Sequence, residues 1–111
     1  VAEFHFERNY PPTINHAAQV QIVQTAAAAA LGKASVQQQE PTMGAEDFAY
    51  MLQAKPGCYF FLGNGDGEHR SAGHGMGPCM LHNPSYDFND ALLSIGTKIW
   101  VELVHTQLAR P

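Results

Sequence analysis

The chain has 111 residues, 45% of them hydrophobic, which is enough for one compact domain with a modest core. Its formal charge of −4, with only six scattered basic residues, excludes a positively charged nucleic-acid-binding surface. No apolar run reaches the roughly 20 residues that a membrane-spanning helix needs. The first residues lack the charged and apolar regions of a signal peptide, so none is expected.

The first ten residues, VAEFHFERNY, alternate between apolar and polar side chains. Phe4, Phe6 and Tyr10 would face one side, and the polar residues between them the other. This period of two predicts a half-buried strand over residues 1–10, in an antiparallel sheet. Pro11 cannot donate a hydrogen bond to a sheet and ends the strand. A chain that begins without methionine is also expected to be a trimmed polypeptide.

A helix is predicted over residues 16–31, with Asn15 as its N-cap and Gly32 directly after its last turn. Five consecutive alanines favour this helix and permit close packing. Residues 34–36 are a candidate for a short strand. The predicted apolar face of the helix consists of Ala17, Val20, Val23, Ala27 and Leu31.

A shorter helix is predicted over residues 46–55, where Glu46 and Asp47 would complement the positive end of the helix dipole. The run CYFFLG at 58–63 is continuously apolar and predicts a strand that is buried on both faces. Residues 64–78 contain five glycines and form a long irregular loop. Loops of this length are usually either functional or disordered.

The last predicted helix runs from Asn89 or Asp90 to Leu108. Gly96 inside it costs about 1 kcal/mol relative to alanine and would mark a close crossing. From residue 12 onward, the alternation of helices and strands favours an α/β sandwich with buried parallel strands. The first ten residues are expected to belong to a separate sheet. The apolar stripe of the last helix comprises Leu92, Ile95, Ile99 and Leu103, broadened by Trp100, Val104 and Leu108.

Several side chains could bind a metal ion, but none has the spacing of a zinc finger or an HExxH helix. His82 follows the apolar residues CML and precedes a prolyl turn, beside a strand end, where α/β enzymes place reacting groups. Its imidazole suits zinc, manganese or nickel. From the residues alone, a half-buried structural histidine is still the better interpretation, and His69 and His74 are interpreted as solvated loop residues. The candidate ligands are Glu46, Asp47, Asp66, His69, His74, Cys79, His82 and Asp87.

Other kinds of catalysis find less support in the sequence. Glu46 and Asp47 are adjacent and do not share a helix face, so one is expected to cap the helix and the other to point inward. No serine lies in a GxSxG motif, and no phosphate-binding glycine motif precedes a helix. Cys58 and Cys79 are too few for a disulfide scaffold and are predicted to be reduced thiols of a cytoplasmic protein. Neither has an activating partner in the sequence, and a bridge between them stays open.

The segments MGAEDFAYML, PGCYFFLGNGDG and GPCMLHNPSYDFNDALLSIGTKIWVEL resemble, in this order, the C-terminal end of the M20-type metal-dependent amidohydrolases. The resemblance is to the branch that contains hippurate hydrolase, N-acyl-amino-acid amidohydrolases and indoleacetyl-amino-acid hydrolases. NYPPTIN upstream resembles that branch as well, so the resemblance covers essentially the whole chain. The motifs GAEDF, FFLGNG and LHNPSYDFND are specific as a set, although each alone would be weak.

The resemblance implies a fold and a division into domains. In this family, a three-layer α/β catalytic domain of the phosphorylase/hydrolase-like type is interrupted by a ferredoxin-like lid domain, which often makes the dimer contact. Residues 1–10 would be the last strand of the lid. Residues 11–111 would be the C-terminal segment of the catalytic domain.

The resemblance also implies a centre of two divalent metal ions, for which zinc, manganese and nickel are the candidates. Of the family's ligands, only the histidine of LHNP, His82, would lie in this chain. Gly44, Glu46, Asp47 and Asn64 would border or support the substrate pocket. The general base and the other ligands are absent, so the chain alone is expected to be inactive. The whole protein would hydrolyse N-acyl amino acids such as hippurate through a metal-activated water.

Further expectations concern partners. A chain without its neighbouring strands would expose a sheet edge and apolar faces, which predicts a homodimer or higher self-association, through exchange of the N-terminal strand. Neither a nucleic acid nor a membrane is expected as a partner. Two alternatives remain open. One is a non-catalytic α/β assembly or binding module in which His82 is structural, and the other is an intermolecular zinc site that uses Cys79 and His82.

Overall fold

The computed structural model describes residues 1–65, 81–82 and 86–108. The chain divides into two compact units, Val1–Phe60 and Phe61–Pro111. The first unit contains helix α1 and helix α2, and the second contains helix α3. None of the described helices is long and apolar enough to cross a membrane. The bounds of the elements are α1 Ala17–Leu31, a 3-10 turn at Lys33–Ser35, α2 Phe48–Ala54 and α3 Ala91–Leu108.

Helix α1 begins after His16, which occupies the N-cap position without a hydrogen bond from its side chain. The prediction of Asn15 as the N-cap is therefore wrong. The helix ends at Leu31, and Gly32 adopts a φ of 87° while its amide donates to the Ala28 carbonyl at 2.9 Å. Because a side chain is strained at this φ, the predicted glycine stop is confirmed.

Burial in the first unit centres on small and medium-sized apolar side chains. Ala26 of α1 is fully buried, and Ala49 and Leu52 of α2 are 1% and 5% exposed. The predicted face of α1 omitted Ala26 and included Ala17, which is exposed. The other members of that face are half-buried, namely Val20, Val23, Ala27 and Leu31.

Helix α2 is shorter than the predicted range of 46–55. Glu46 and Asp47 precede it, so its first turn carries no acid. Asp47 occupies the N-cap position, but its side chain makes no capping hydrogen bond. The helix ends before Pro56, as the sequence predicted, because proline cannot supply the next backbone donor.

The backbone at residues 57 and 59 is held by the two residues before α1. The side-chain amide of Asn15 donates to the Tyr59 carbonyl and accepts from the Tyr59 amide, both at 2.7 Å. The His16 amide donates to the Gly57 carbonyl at 3.1 Å, and the Gly57 amide donates to Nδ1 of His16 at 3.2 Å. These bonds satisfy backbone groups that a neighbouring strand would otherwise pair.

No strand occurs in the part of the chain that the structure describes. Residues 1–10 are exposed and irregular, and residues 58–63 do not pair in a ladder. Phe61 is 57% exposed, so the prediction of burial on both faces is wrong there. The strand candidate at 34–36 is also wrong, because Lys33–Ser35 form a 3-10 turn. A strand needs a neighbouring strand for its ladder, and an apolar or alternating sequence does not by itself supply one. The three-layer α/β fold and the lid strand are therefore not confirmed.

Helix α3 follows the prediction closely. It begins at Ala91, whose amide donates to Oδ1 of Asn89 at 3.1 Å. Ile99 is 3% exposed, and the other members of the predicted stripe, Leu92, Ile95 and Leu103, are half-buried. The predicted broadening of the stripe is wrong. It was to come from three residues that are in fact largely exposed, namely Trp100 (60%), Val104 (52%) and Leu108 (72%).

Candidate functional site

His82 adopts a left-handed backbone conformation, with a φ of 68°, which no other non-glycine residue in the described part of the chain shares. This region costs an L-residue about 1–2 kcal/mol, although histidine occurs there more often than most residues. His82 is exposed rather than half-buried as the sequence suggested. Backbone strain of this kind is concentrated at functional sites, so the exposed imidazole is a candidate ligand group.

Asn64 and Asn89 form a reciprocal pair in the same unit. Asn64 donates from Nδ2 to the Asp87 carbonyl at 3.0 Å and accepts the Asn89 amide at Oδ1, also at 3.0 Å. Asn89 donates from Nδ2 to the Asn64 carbonyl at 3.2 Å, and its Oδ1 accepts the Ala91 amide at the start of α3. We call these two residues the Asn64–Asn89 pair. Both are half-buried, and they join positions that are 25 residues apart in sequence.

Glu46 is held by a tyrosine within the first unit. The Tyr59 hydroxyl donates to Oε1 of Glu46 at 2.9 Å, and the Tyr59 ring lies 5.6 Å from that of Phe48. This hydrogen bond, together with partial burial and the negative charges of Glu46 and Asp47, raises the pKa of Tyr59, because a phenolate would lose the bond and face carboxylates. Tyr59 is therefore protonated at neutral pH and orients one oxygen of the Glu46 carboxylate.

The remaining predicted site residues of the first unit are more open. One of these two acids was predicted to point inward and the other to cap the helix. Glu46 is half-buried, and Asp47 is exposed and lies at the N-cap position, but the side chain of Asp47 makes no capping hydrogen bond. Gly44 is exposed, and a Cβ built there would have Thr42 Oγ1 as its nearest neighbour at 3.8 Å. Burial raises the pKa of the Cys58 thiol, which keeps it protonated and poorly nucleophilic.

The structure places the predicted site residues in two groups. Gly44, Glu46 and Asp47 belong to the first unit, and Asn64 and His82 to the second. Within the described residues, no three histidine, cysteine, aspartate or glutamate side chains come together as a metal site. Asp87 is described, and its carbonyl rather than its carboxylate makes the bond noted above. The other candidates lie outside the described residues, namely Asp66, His69, His74 and Cys79.

Two supporting residues were missed by the sequence reasoning. Tyr59 was predicted only as part of an apolar strand, and nothing in the sequence links it to Glu46, 13 positions away. Asn89 was predicted as a possible helix start but not as the partner of Asn64. An asparagine just before a helix indicates an N-cap. In the structure, the Asn89 side chain both accepts the Ala91 amide at the start of α3 and donates to the Asn64 carbonyl.

These observations define a helical segment that carries one exposed histidine, His82, as a candidate metal ligand. The chain belongs to Peptidase family M20/M25/M40, whose sequence pattern matches residues 1–106. The family resemblance noted in the sequence is thereby confirmed.

Three curated relatives align with most of the chain. Over 98 residues, 87% of the chain, it is 33% identical to YhaA of Bacillus subtilis (strain 168), which is named provisionally as an amidohydrolase. It is 34% identical over 95 residues, 85% of the chain, to "Probable hydrolase sll0100" of Synechocystis sp.. It is 30% identical over 90 residues, 81% of the chain, to "IAA-amino acid hydrolase ILR1-like 4" of Arabidopsis thaliana. The chain spans 23%, 23% and 19% of these proteins. No solved structure matches it significantly.

Proposed function

We propose that this chain is the C-terminal part of a metal-dependent amidohydrolase, which cleaves the amide bond of N-acyl amino acids of the hippurate type. The family match over residues 1–106 is the observation that carries the proposal. It is supported by relatives that are named as an amidohydrolase and as a hydrolase of IAA-amino acids. Because the chain spans at most 23% of these relatives, the activity belongs to a longer polypeptide.

His82 fits a divalent metal ion as one ligand of a shared centre. It is exposed, and a neutral imidazole nitrogen is a good ligand for zinc, manganese or nickel. The described residues do not group into a complete site, so the other ligands of two ions would come from elsewhere in the protein. When bound, such ions supply a water of lowered pKa and polarise the scissile carbonyl.

The other proposed roles in this chain concern orientation. Glu46 would border the substrate pocket with Asp47 and Gly44, and the hydrogen bond from Tyr59 would keep its carboxylate in one orientation. Within the second unit, Asn64 would have a separate supporting role, through its bonds to Asp87 and Asn89. None of these groups is proposed to move a proton in the reaction, and Tyr59 in particular is kept protonated by its carboxylate partner.

The family resemblance also supports proposals about the fold and partners of the whole protein. Residues 1–10 would complete a lid domain and residues 11–111 a three-layer α/β catalytic domain, in a protein of the cytoplasm. Phe4 and Phe6 are 95% and 80% exposed, and such side chains would be covered by further polypeptide or by a second copy. We therefore propose a homodimer or a higher assembly, in which the first ten residues contribute to the contact.

Hydrolysis of a panel of N-acyl amino acids by the whole protein tests the proposed function. His82→Ala is expected to lower kcat/KM by more than about 100-fold on every substrate that the wild type cleaves. His105→Ala is the matched control, because it removes another exposed imidazole from the second unit and should leave kcat/KM unchanged. Full activity of His82→Ala would remove His82 from the mechanism. Absence of amide hydrolysis by the wild type would favour the non-catalytic module.

A further inference from the structure

We infer that Asn64 is a site of spontaneous deamidation, and that the Asn64–Asn89 pair protects it in the folded protein. Asparagine is among the thermolabile residues of proteins. Asn64 and Gly65 form the only asparagine–glycine dipeptide in the 111 residues. The inference concerns the second unit alone, and it does not depend on the proposed function, because water is the only co-reactant.

The reaction begins when the amide nitrogen of Gly65 attacks Cγ of Asn64. A bond forms between these two atoms, the bond from Cγ to Nδ2 breaks, and Nδ2 leaves as ammonia with the proton of the Gly65 amide. Water then opens the cyclic imide on one side of the Gly65 nitrogen. Cleavage of its bond to Cγ yields aspartate, and cleavage of its bond to the main-chain carbonyl carbon of residue 64 yields isoaspartate. No atom is oxidised or reduced.

The turn at residue 65 requires the residue that makes Asn64 susceptible. Gly65 has a φ of 74°, where a side chain would be strained. A Cβ built on it would lie 3.4 Å from Nδ2 of Asn89, the atom that donates to the Asn64 carbonyl. Because glycine has no Cβ, its amide nitrogen is also the least hindered nucleophile that can follow an asparagine. Gly65 is exposed, so water reaches the imide that forms there.

The hydrogen bonds of the pair oppose this attack. Nδ2 of Asn64 donates to the Asp87 carbonyl and Oδ1 accepts the Asn89 amide, both at 3.0 Å. The Asn64 carbonyl, whose carbon becomes part of the imide ring, accepts Nδ2 of Asn89 at 3.2 Å. Ring closure turns the Asn64 side chain back onto its own main chain, so the two side-chain bonds must break first. Deamidation of the folded protein therefore needs local opening of the pair, and the free energy of that opening sets its rate.

The modification would release the backbone before α3 from residue 64. An aspartate at this position has no donor for the Asp87 carbonyl and places an oxygen where Nδ2 donated. An isoaspartate lengthens the main chain by one methylene group and likewise has no side-chain amide. The pair cannot re-form in its original arrangement in either product, so each opening that ends in deamidation is permanent.

Peptide mapping of the whole protein after incubation at mildly alkaline pH tests the inference. Alkaline solution speeds the reaction, because the attacking nitrogen must lose its proton. Since Lys55 precedes a proline, trypsin releases residues 34–70 as one peptide, in which Asn64 is the only asparagine. Conversion exchanges one NH for one O in the mass of that peptide. In guanidinium chloride, where the pair is open, Asn64 should convert at least about tenfold faster than in the folded protein, because three hydrogen bonds no longer oppose the attack.

Asn89→Ser measures the protection that the pair itself gives. Serine retains an oxygen that can cap α3 but removes the donor to the Asn64 carbonyl. In the folded variant, Asn64 should convert about 2–10-fold faster than in the folded wild type, as expected for the loss of one hydrogen bond. Asn15→Ser is the matched control, because it removes an asparagine amide that makes two backbone bonds in the first unit. Its effect on conversion of Asn64 should stay below about twofold.

Three results would overturn the inference. If Asn64 does not convert in the denatured wild type, or converts as fast in denatured Gly65→Ala, the assigned reaction is wrong. If the folded and denatured wild type convert at the same rate, the fold gives no protection, and this comparison decides the matter where Asn89→Ser does not fold. If folded Asn89→Ser converts no faster than the wild type, or Asn15→Ser is accelerated as much, the pair is not the protecting contact. None of these results bears on amide hydrolysis, so the proposed function stands or falls separately.

Discussion

The bonds between Asn15 and Tyr59 allow the stability of the first unit to be predicted. Asn15→Ala removes both, and the Tyr59 amide and carbonyl must then find water. Asn15→Asp is a sharper perturbation. It keeps an oxygen for the Tyr59 amide but places the other carboxylate oxygen where Nδ2 donated, against the Tyr59 carbonyl at 2.7 Å. A favourable hydrogen bond is thereby exchanged for a contact between two acceptors.

The expected loss follows from the number of bonds and their exposure. A neutral hydrogen bond contributes about 0.5–1.5 kcal/mol net, so two would contribute about 1–3 kcal/mol. Because Asn15 is exposed and Tyr59 is half-buried, water can replace part of the lost hydrogen bonding to the Tyr59 amide and carbonyl, which reduces the loss of stability. We therefore expect Asn15→Ala to lower the free energy of unfolding by about 1–2 kcal/mol, and Asn15→Asp to lower it by at least as much.

Urea unfolding followed by circular dichroism measures this loss, provided that the dependence on denaturant is the same for all variants. Asn9→Ala is the control, because the side-chain donor of Asn9 makes only a 3.5 Å contact with Glu7, and the change should stay below about 0.5 kcal/mol. If Asn15→Ala unfolds within about 0.3 kcal/mol of the wild type, or no more readily than the Asn9 variant, the two bonds do not hold Tyr59 in place.

Glu46→Gln should lower the pKa of Tyr59 toward its ordinary value of 10.0, as seen in the tyrosinate absorbance. Because the pKa of Tyr59 is raised in the folded state, the stabilisation from its hydrogen bond is present below pH 10 and is lost as the pH rises through the folded-state pKa. If the tyrosinate absorbance of Glu46→Gln titrates as in the wild type, the contact between Tyr59 and Glu46 is refuted. His82→Gly should be more stable to urea than His82→Ala by about 1 kcal/mol, because only alanine keeps the left-handed strain, and equal stabilities would exclude that strain. Gly96→Ala should raise the unfolding free energy by up to about 1 kcal/mol, since its Cβ would lie at an ordinary 3.5 Å from Leu62 Cδ2. A loss of stability would show instead that α3 needs a close approach there.

Features that depend on neighbouring residues were predictable from the sequence. The glycine after α1, the end of α2 before Pro56 and the bounds of α3 follow from the local backbone preferences of glycine, proline and helix formers. The stripe around Ile99 follows from the helical period alone. In the same way, GAEDF, FFLGNG and LHNPSYDFND together indicated the family, because each is a short contiguous string of residues.

Features that depend on distant residues were not predictable. Asn15 has the side chain of a good N-cap, but its side-chain amide bonds instead to the backbone of Tyr59, 44 positions away. The residues around Asn15 do not reveal that this distant bond replaces the capping bond. The partner of Asn64 is 25 positions away for the same reason. Strand predictions depend most on distant partners, because a period of two indicates which side chains share a face but does not supply the neighbouring strand.

Counting metal ions in the purified whole protein tests the role of His82 most directly. Wild type and His82→Ala would be dialysed together against buffer with limiting free metal and analysed by plasma mass spectrometry, with unfolding curves to show that both are folded. If the imidazole is a ligand, His82→Ala retains about one ion fewer per chain than the wild type. Equal metal content in the two folded proteins would contradict the assignment.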